Sequence, residues 1–234
     1  MTDKHLSSQF DADLNLVSSK VLEMGGLVEA QITRAMQALN EFDVGIADQV
    51  IAAEETVNTM EVVIDEECSN VIARRQPAAR DLRLLLAISK TITNLERAGD
   101  EAEKIAKRVK RLSEDGASRT VNIAEIKVSG EMAVSILRRA LDAFARLDTV
   151  AAAQIVRDDK AIDEEFRAFV RKLVTYMMED PRTISAGLEF LTIAKAIERI
   201  GDHAKNIAEF IIYIVKGTDV RHKSRDALER EALS

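Results

Sequence analysis

One stretch of this chain is written twice. Leu95-Glu-Arg-Ala-Gly-Asp-Glu-Ala-Glu-Lys-Ile-Ala106 aligns with Ile197-Glu-Arg-Ile-Gly-Asp-His-Ala-Lys-Asn-Ile-Ala208 at an offset of 102, with seven identities in twelve. Two further apolar runs in each half superpose at an offset of 105, so that Arg34-Ala35 matches Arg139-Ala140 and Asp43 matches Asp148. A chain built of two equivalent halves folds as two like units. The three-residue difference is absorbed around Pro77 and Pro181, where the third run of each half begins. Proline is tolerated in a first helical turn because its missing N–H would have no intrahelical partner there.

The runs are helical. From Phe190 the apolar residues fall at Ile193, Ile197, Ile200, Ala204, Ile207, Ile211 and Ile214, alternating steps of three and four. That is the 3.5-residue seam of a long packed helix. The same spacing carries Leu84 to Leu112, Gly25 to Phe42, Gly130 to Leu147, Val50 to Val71 and Ile155 to Tyr176. With only 9 Gly and 2 Pro in 234 residues, the turn-dense all-β folds are excluded. The sequence therefore predicts an all-α protein of six long helices. They form two tandem, internally repeated three-helix antiparallel bundles, residues 8–114 and 118–216, joined end to end through the Ser113–Arg119 linker. Residues 217–234 lose the pattern and read as a polar tail.

Charge and composition remove several functions. A net charge of −7, 4% aromatic residues and no Trp leave no electrostatic footprint for duplex DNA or anionic lipid and no stacking platform for single strands. No nucleic-acid partner and no direct membrane insertion are expected. The apolar run Phe210–Val215 is far too short to span a bilayer, the first residues have no signal-peptide character, and one Cys cannot build a disulfide framework. These features fit a cytoplasmic protein. There is no Gly-rich phosphate loop, no GxSxG elbow and no Cys/His zinc spacing. Cys68 falls on the seam of the second helix and reads as a buried, inert thiol. His5 and His222 lie in polar ends, and His203, beside Asp202, is expected to point to water. The cluster Lys104, Lys107, Arg108, Lys110 and Arg111 reads as a solvated helix C-terminus, where cations complement the helix dipole.

The unusual feature is a doubled set of carboxylates. Glu96 and Asp100 project from one helix face, as do Glu198 and Asp202. Gly99 and Gly201 precede each Asp in mid-helix, where Gly costs roughly 0.5–1 kcal/mol against Ala. Something approaches the backbone closely at both places. On the second helix of each half, Glu54 and Asp159 stand on the apolar seam, with Asn58 and Asp163 one turn on. A carboxylate aimed at an apolar interior must be protonated, paired or bound to a cation. If the second and third helices pack together, each half gathers oxygen ligands: Glu54, Asn58, Glu96 and Asp100, or Asp159, Asp163, Glu198 and Asp202. Such donors suit Mg, Mn, Ca or Fe.

With the repeated E-R-x-G-D helices, the Gln76-Pro-Ala-Ala-Arg-Asp-Leu-Arg83 stretch and the doubled three-helix layout, the sequence resembles the PhoU family from about Phe10 to Lys216. That resemblance implies a cytoplasmic, non-enzymatic negative regulator of the phosphate-starvation response. It also implies an adaptor between the ATPase subunit of a phosphate ABC transporter and a membrane sensor histidine kinase. Some members bind multinuclear iron or zinc on E(D)xxxD motifs. Those motifs fall here on Glu96 and Asp100, Glu198 and Asp202, and Asp159 and Asp163. Glu54 with Asn58 departs from the motif, because Asn replaces its second acid. The implied metals are Fe or Zn, with Mn or Mg also suited to the donors, and a homodimer is expected. The rival readings are a carboxylate-bridged, ferritin-like oxidase or metal-storage bundle and a purely structural helical oligomer. Ferritin-like sites use Glu-x-x-His pairs, and none of the three His follows that spacing.

Overall fold

The computed structural model describes residues 8–114, 116 and 121–233. Six long helices follow one another: α1 (Ser8–Glu41), α2 (Val44–Arg75), α3 (Ala79–Glu114), α4 (Ala124–Arg146), α5 (Thr149–Glu179) and α6 (Ile184–Lys216). A 3₁₀ turn at Pro181–Thr183 leads into α6, and a short helix α7 (Arg225–Leu233) closes the chain. No strand occurs among the described residues. His5 and most of the Ser113–Arg119 linker lie outside them.

The repeat is visible in the turns. Phe42 and Leu147, 105 residues apart, both take left-handed φ values of 55° and 51° and stop α1 and α4. The next residues, Asp43 and Asp148, cap α2 and α5 by accepting from the backbone N–H of Ile46 at 3.0 Å and Ala151 at 2.9 Å. Each cap stabilises its helix by about 1 kcal/mol. So tight a turn forces α1 against α2 and α4 against α5 as antiparallel neighbours. The seam residues Val28, Ile32, Leu39, Ile88, Leu95, Ile105, Leu137, Ile193, Ile200 and Ile207 are all buried.

The two bundles are tandem in sequence but lie side by side in space, not end to end. α3 packs antiparallel along α6, and α1 crosses α4. The contacts run the length of the pair: Arg108 meets Glu189 at 3.0 Å, Glu101 meets Arg199 at 3.0 Å, and Asn94 meets His203 at 3.1 Å. At the α1–α4 crossing the repeat interlocks with itself. Leu141 fills the notch at Gly25, and Met36, which occupies the position of Leu141 in the first repeat, fills the notch at Gly130. α3 and α6 thus bury a second stripe beside the 3.5-residue seam, including Ala87, Asn94 and Glu101 on α3 and Ala196 and His203 on α6.

The segment after Gly217 is not a polar tail. Gly217, at φ 75°, ends α6, and the chain turns back to pack α7 on α5 and α6, burying Val220, Leu228 and Ala232. Thr149 Oγ1 donates to the carbonyl of Ala232 at 2.8 Å, and Arg157 pairs with Glu229. Five apolar residues after Gly217, at Val220, Ala227, Leu228, Ala232 and Leu233, are too few to show a sustained period.

Candidate functional site

In each repeat the second helix lays a buried acid over the mid-helix glycine of the third. A Cβ on Gly99 would stand 3.1 Å from Glu54 Oε2 and 3.0 Å from Gln31 Oε1. A Cβ on Gly201 would stand 3.1 Å from Asp159 Oδ1 and 2.9 Å from Ile162 Cδ1. What approaches these glycines is therefore the chain's own buried carboxylate. Glu54 is 6% exposed and Asp159 2%.

In the first repeat, Gln31 on α1 donates from Nε2 to Glu54 Oε2 at 2.6 Å and to the carbonyl of Val50 at 3.2 Å. Among the described residues, Glu54 Oε1 and Gln31 Oε1 find no hydrogen-bond partner and are buried. Burial, reinforced by Asp100 and Glu103, holds the Glu54 carboxyl above its usual range against the opposing bond from Gln31. Glu96 is pushed up to about 7, first by burial and then by Asp100, Glu61 and Glu54. Thr93 donates to Glu61 at 2.8 Å, and Lys107 pairs with Glu103 at 2.7 Å. Asn58 and Asp100 are exposed on this face. An open cleft of about 510 Å³ lies over it, lined by Glu54, Glu55, Asn58 and Glu103 among others. The face is a concentration of negative charge with two orphaned oxygens, Glu54 Oε1 and Gln31 Oε1, at its base.

The second repeat uses the same positions differently. Lys205 Nζ lies 3.1 Å from Asp159 Oδ2 and 3.2 Å from Asp202 Oδ1. Lys195 pairs with Glu198 at 2.6 Å and stands 5.4 Å over the ring of Phe166. Asp163 is partly exposed. Burial pushes Asp159 up, and Lys205 opposes that shift. Among the described residues, no three His, Cys, Asp or Glu side chains are grouped so as to hold one metal ion.

Other side chains stand elsewhere than the sequence suggested. His203 does not point to water. It is buried between α3 and α6, where Asn94 Oδ1 accepts from its Nδ1 and from Asn206 Nδ2 at 3.0 Å. Burial, aided by Arg199 and Arg97, lowers it to about 4, so it is neutral. The basic end of α3 is tied down rather than free: Lys104 binds Glu101, Arg108 and Arg111 bind Glu189, and Lys110 binds Asp48. Cys68 is buried, and burial pushes its thiol up to about 12. Gln31, Glu61, Glu103, Lys195 and Lys205 were missed. The signal that finds them is difference between the repeats, since Glu103 faces Lys205 at the 102 offset and Glu61 faces Phe166 at the 105 offset.

Comparison with known proteins places the whole chain. The PhoU domain family model matches residues 21–109 and 126–211. A phosphate-specific transport system accessory protein PhoU homolog from a Burkholderia species is 62% identical over 234 residues, covering 100% of both chains. The phosphate-specific transport system accessory protein PhoU of Escherichia coli K12 is 46% identical, over 97% of this chain and 94% of its own. The crystal structure of PhoU from Pseudomonas aeruginosa superposes with a TM-score of 0.87 at 49% identity, over 89% of this chain and 100% of that one. The phosphate transport system regulatory protein PhoU of Streptococcus pneumoniae gives 0.84 at 28% identity, over 90% and 99%.

Proposed function

Because the chain belongs to the PhoU family of phosphate transport accessory proteins, we propose that it is a negative regulator of the phosphate-starvation response and of phosphate uptake. It acts in the cytoplasm as a homodimeric adaptor between a phosphate ABC transporter's ATPase subunit and a sensor histidine kinase. The observation that carries this reading is likeness along the entire length to proteins named as phosphate transport accessories and regulators. Among the described residues no helix is long and apolar enough to cross a membrane, so a membrane kinase would be met by contact.

An adaptor transmits a state only if it binds two states of its partner unequally. The acidic face of the first repeat is a surface on which such a difference can be built. A divalent cation drawn to this face would have to pull the carboxylates of Glu54, Glu96 and Asp100 together, with Asn58 beside them, and would neutralise charges that now repel one another. Catalysis is not part of the proposal, since the relatives carry accessory and regulatory names. The test is a deletion strain grown in rich phosphate, in which starvation genes should switch on and pull-down of the restored protein should recover the transporter ATPase or the kinase. Unchanged expression would overturn the proposal.

A further inference from the structure

The two acidic faces differ in the charges that surround the repeated acids. Where α3 of the first repeat carries Glu103, α6 of the second carries Lys205, and where the first has Thr93 the second has Lys195. At these two positions the second face carries two cations where its twin carries one acid, while at a third Lys107 of the first repeat gives way to the buried Glu209. We propose that the ammonium of Lys205 is the second repeat's built-in counter-ion, occupying the place between Asp159 and Asp202 and excluding a divalent metal from that face.

The geometry supports this on three counts. Lys205, half-buried one turn after Gly201 on the same helix face, reaches both carboxylates, at 3.1 and 3.2 Å, where Gly201 admits Asp159 to the backbone. Asp159 is 2% exposed, and a charge so buried requires a partner. Lys205 supplies it, and no Asp159 oxygen is left as a buried orphan among the described residues. Among the described residues, no cation is bonded to Glu54, the counterpart of Asp159, and one of its oxygens is left orphaned. Lysine is a compact point charge on a long flexible stem, suited to filling an ion's place. A divalent ion entering between Asp159 and Asp202 would have to expel that ammonium, while Lys195 still held Glu198.

This inference rests on the cation reading of the acidic motifs, and the experiment separates the two. Mn²⁺ bound per chain is counted by electron paramagnetic resonance for the full-length wild type, Lys205→Met, Lys205→Arg and Lys205→Met/Asp202→Asn. Lys205→Met should bind one more Mn²⁺ than wild type, Lys205→Arg should match wild type, and the double variant should lose the added ion. The melting temperature of Lys205→Met should also rise with Mn²⁺ by more than that of wild type. Lys205→Gln serves the same purpose if the Met variant does not fold. A Lys205→Met or Lys205→Gln protein that binds no more Mn²⁺ than wild type overturns the proposal. A wild type that binds none overturns the cation reading of the first face, while a gain confined to the Lys205 variants still upholds the built-in counter-ion.

Discussion

Asp159 lies over Gly201 as closely as Glu54 lies over Gly99, each carboxylate oxygen 3.1 Å from where a Cβ would stand. The glycines that weaken the two helices are the clearance for the acids. Gly201→Leu should therefore loosen α5 from α6 and destabilise the fold by roughly 1–3 kcal/mol, the usual effect of overpacking. Urea unfolding measures this, and a variant as stable as wild type would show that the fit is not tight.

Glu54→Gln should act in opposite directions on stability and on cation binding. Burial holds the Glu54 carboxyl high, so its charged form weakens the fold near neutral pH. The amide removes that charge and offers a donor beside the orphaned Gln31 Oε1. Metal-free protein should gain about 1 kcal/mol. Affinity for Mn²⁺ should fall about tenfold or more with loss of a charged ligand. Melting with and without Mn²⁺ reads both effects, and a variant less stable without metal would contradict the account.

The helices were legible because their signal is local. Ile193, Ile197 and Ile200 repeat a period that needs no knowledge of neighbours, and Asp43 and Asp148 cap by contacts three residues away. His203 was not legible, because its burial depends on α3 lying along α6, a pairing between residues about 109 apart. The acids of the candidate site were visible as a repeated pattern, but reading for likeness hid Lys205, which matters where the repeats disagree. The docking of Leu228 and Ala232 on α5 is likewise a tertiary fact with only sparse local trace.

His203 should make the α3–α6 seam sensitive to acid. Its folded value of about 4 lies below the ordinary 6.5, so the fold favours the neutral ring. The stabilisation this gives is complete above about pH 6.5 and is lost as pH falls towards 4. Relative to His203→Gln, which does not titrate, wild type should lose about 3 kcal/mol between pH 7 and pH 4. A constant gap between the two proteins in urea melts would contradict this.

Glu209 should link the C-terminal segment to pH with the opposite sign. It is buried, with Lys205, Arg221, Asp219 and Asp159 around it, while its first-repeat counterpart Lys107 is exposed. Burial raises Glu209 to about 7. Packing that covers it is therefore firmest below about pH 4.5 and weakens as pH rises through 7. Amides of residues 220–233, corrected for intrinsic exchange, should exchange faster at pH 8 than at pH 6, and Glu209→Gln should abolish the difference. Equal protection at both pH values in wild type would refute the link.

The most direct measurement is a phosphate-starvation reporter in a strain lacking this protein, grown in abundant phosphate and complemented with either the wild-type chain or Glu96→Gln/Asp100→Asn. The account predicts a silent reporter with wild type and an active one with the variant, at equal protein levels. A reporter that stays silent with no protein at all would contradict it.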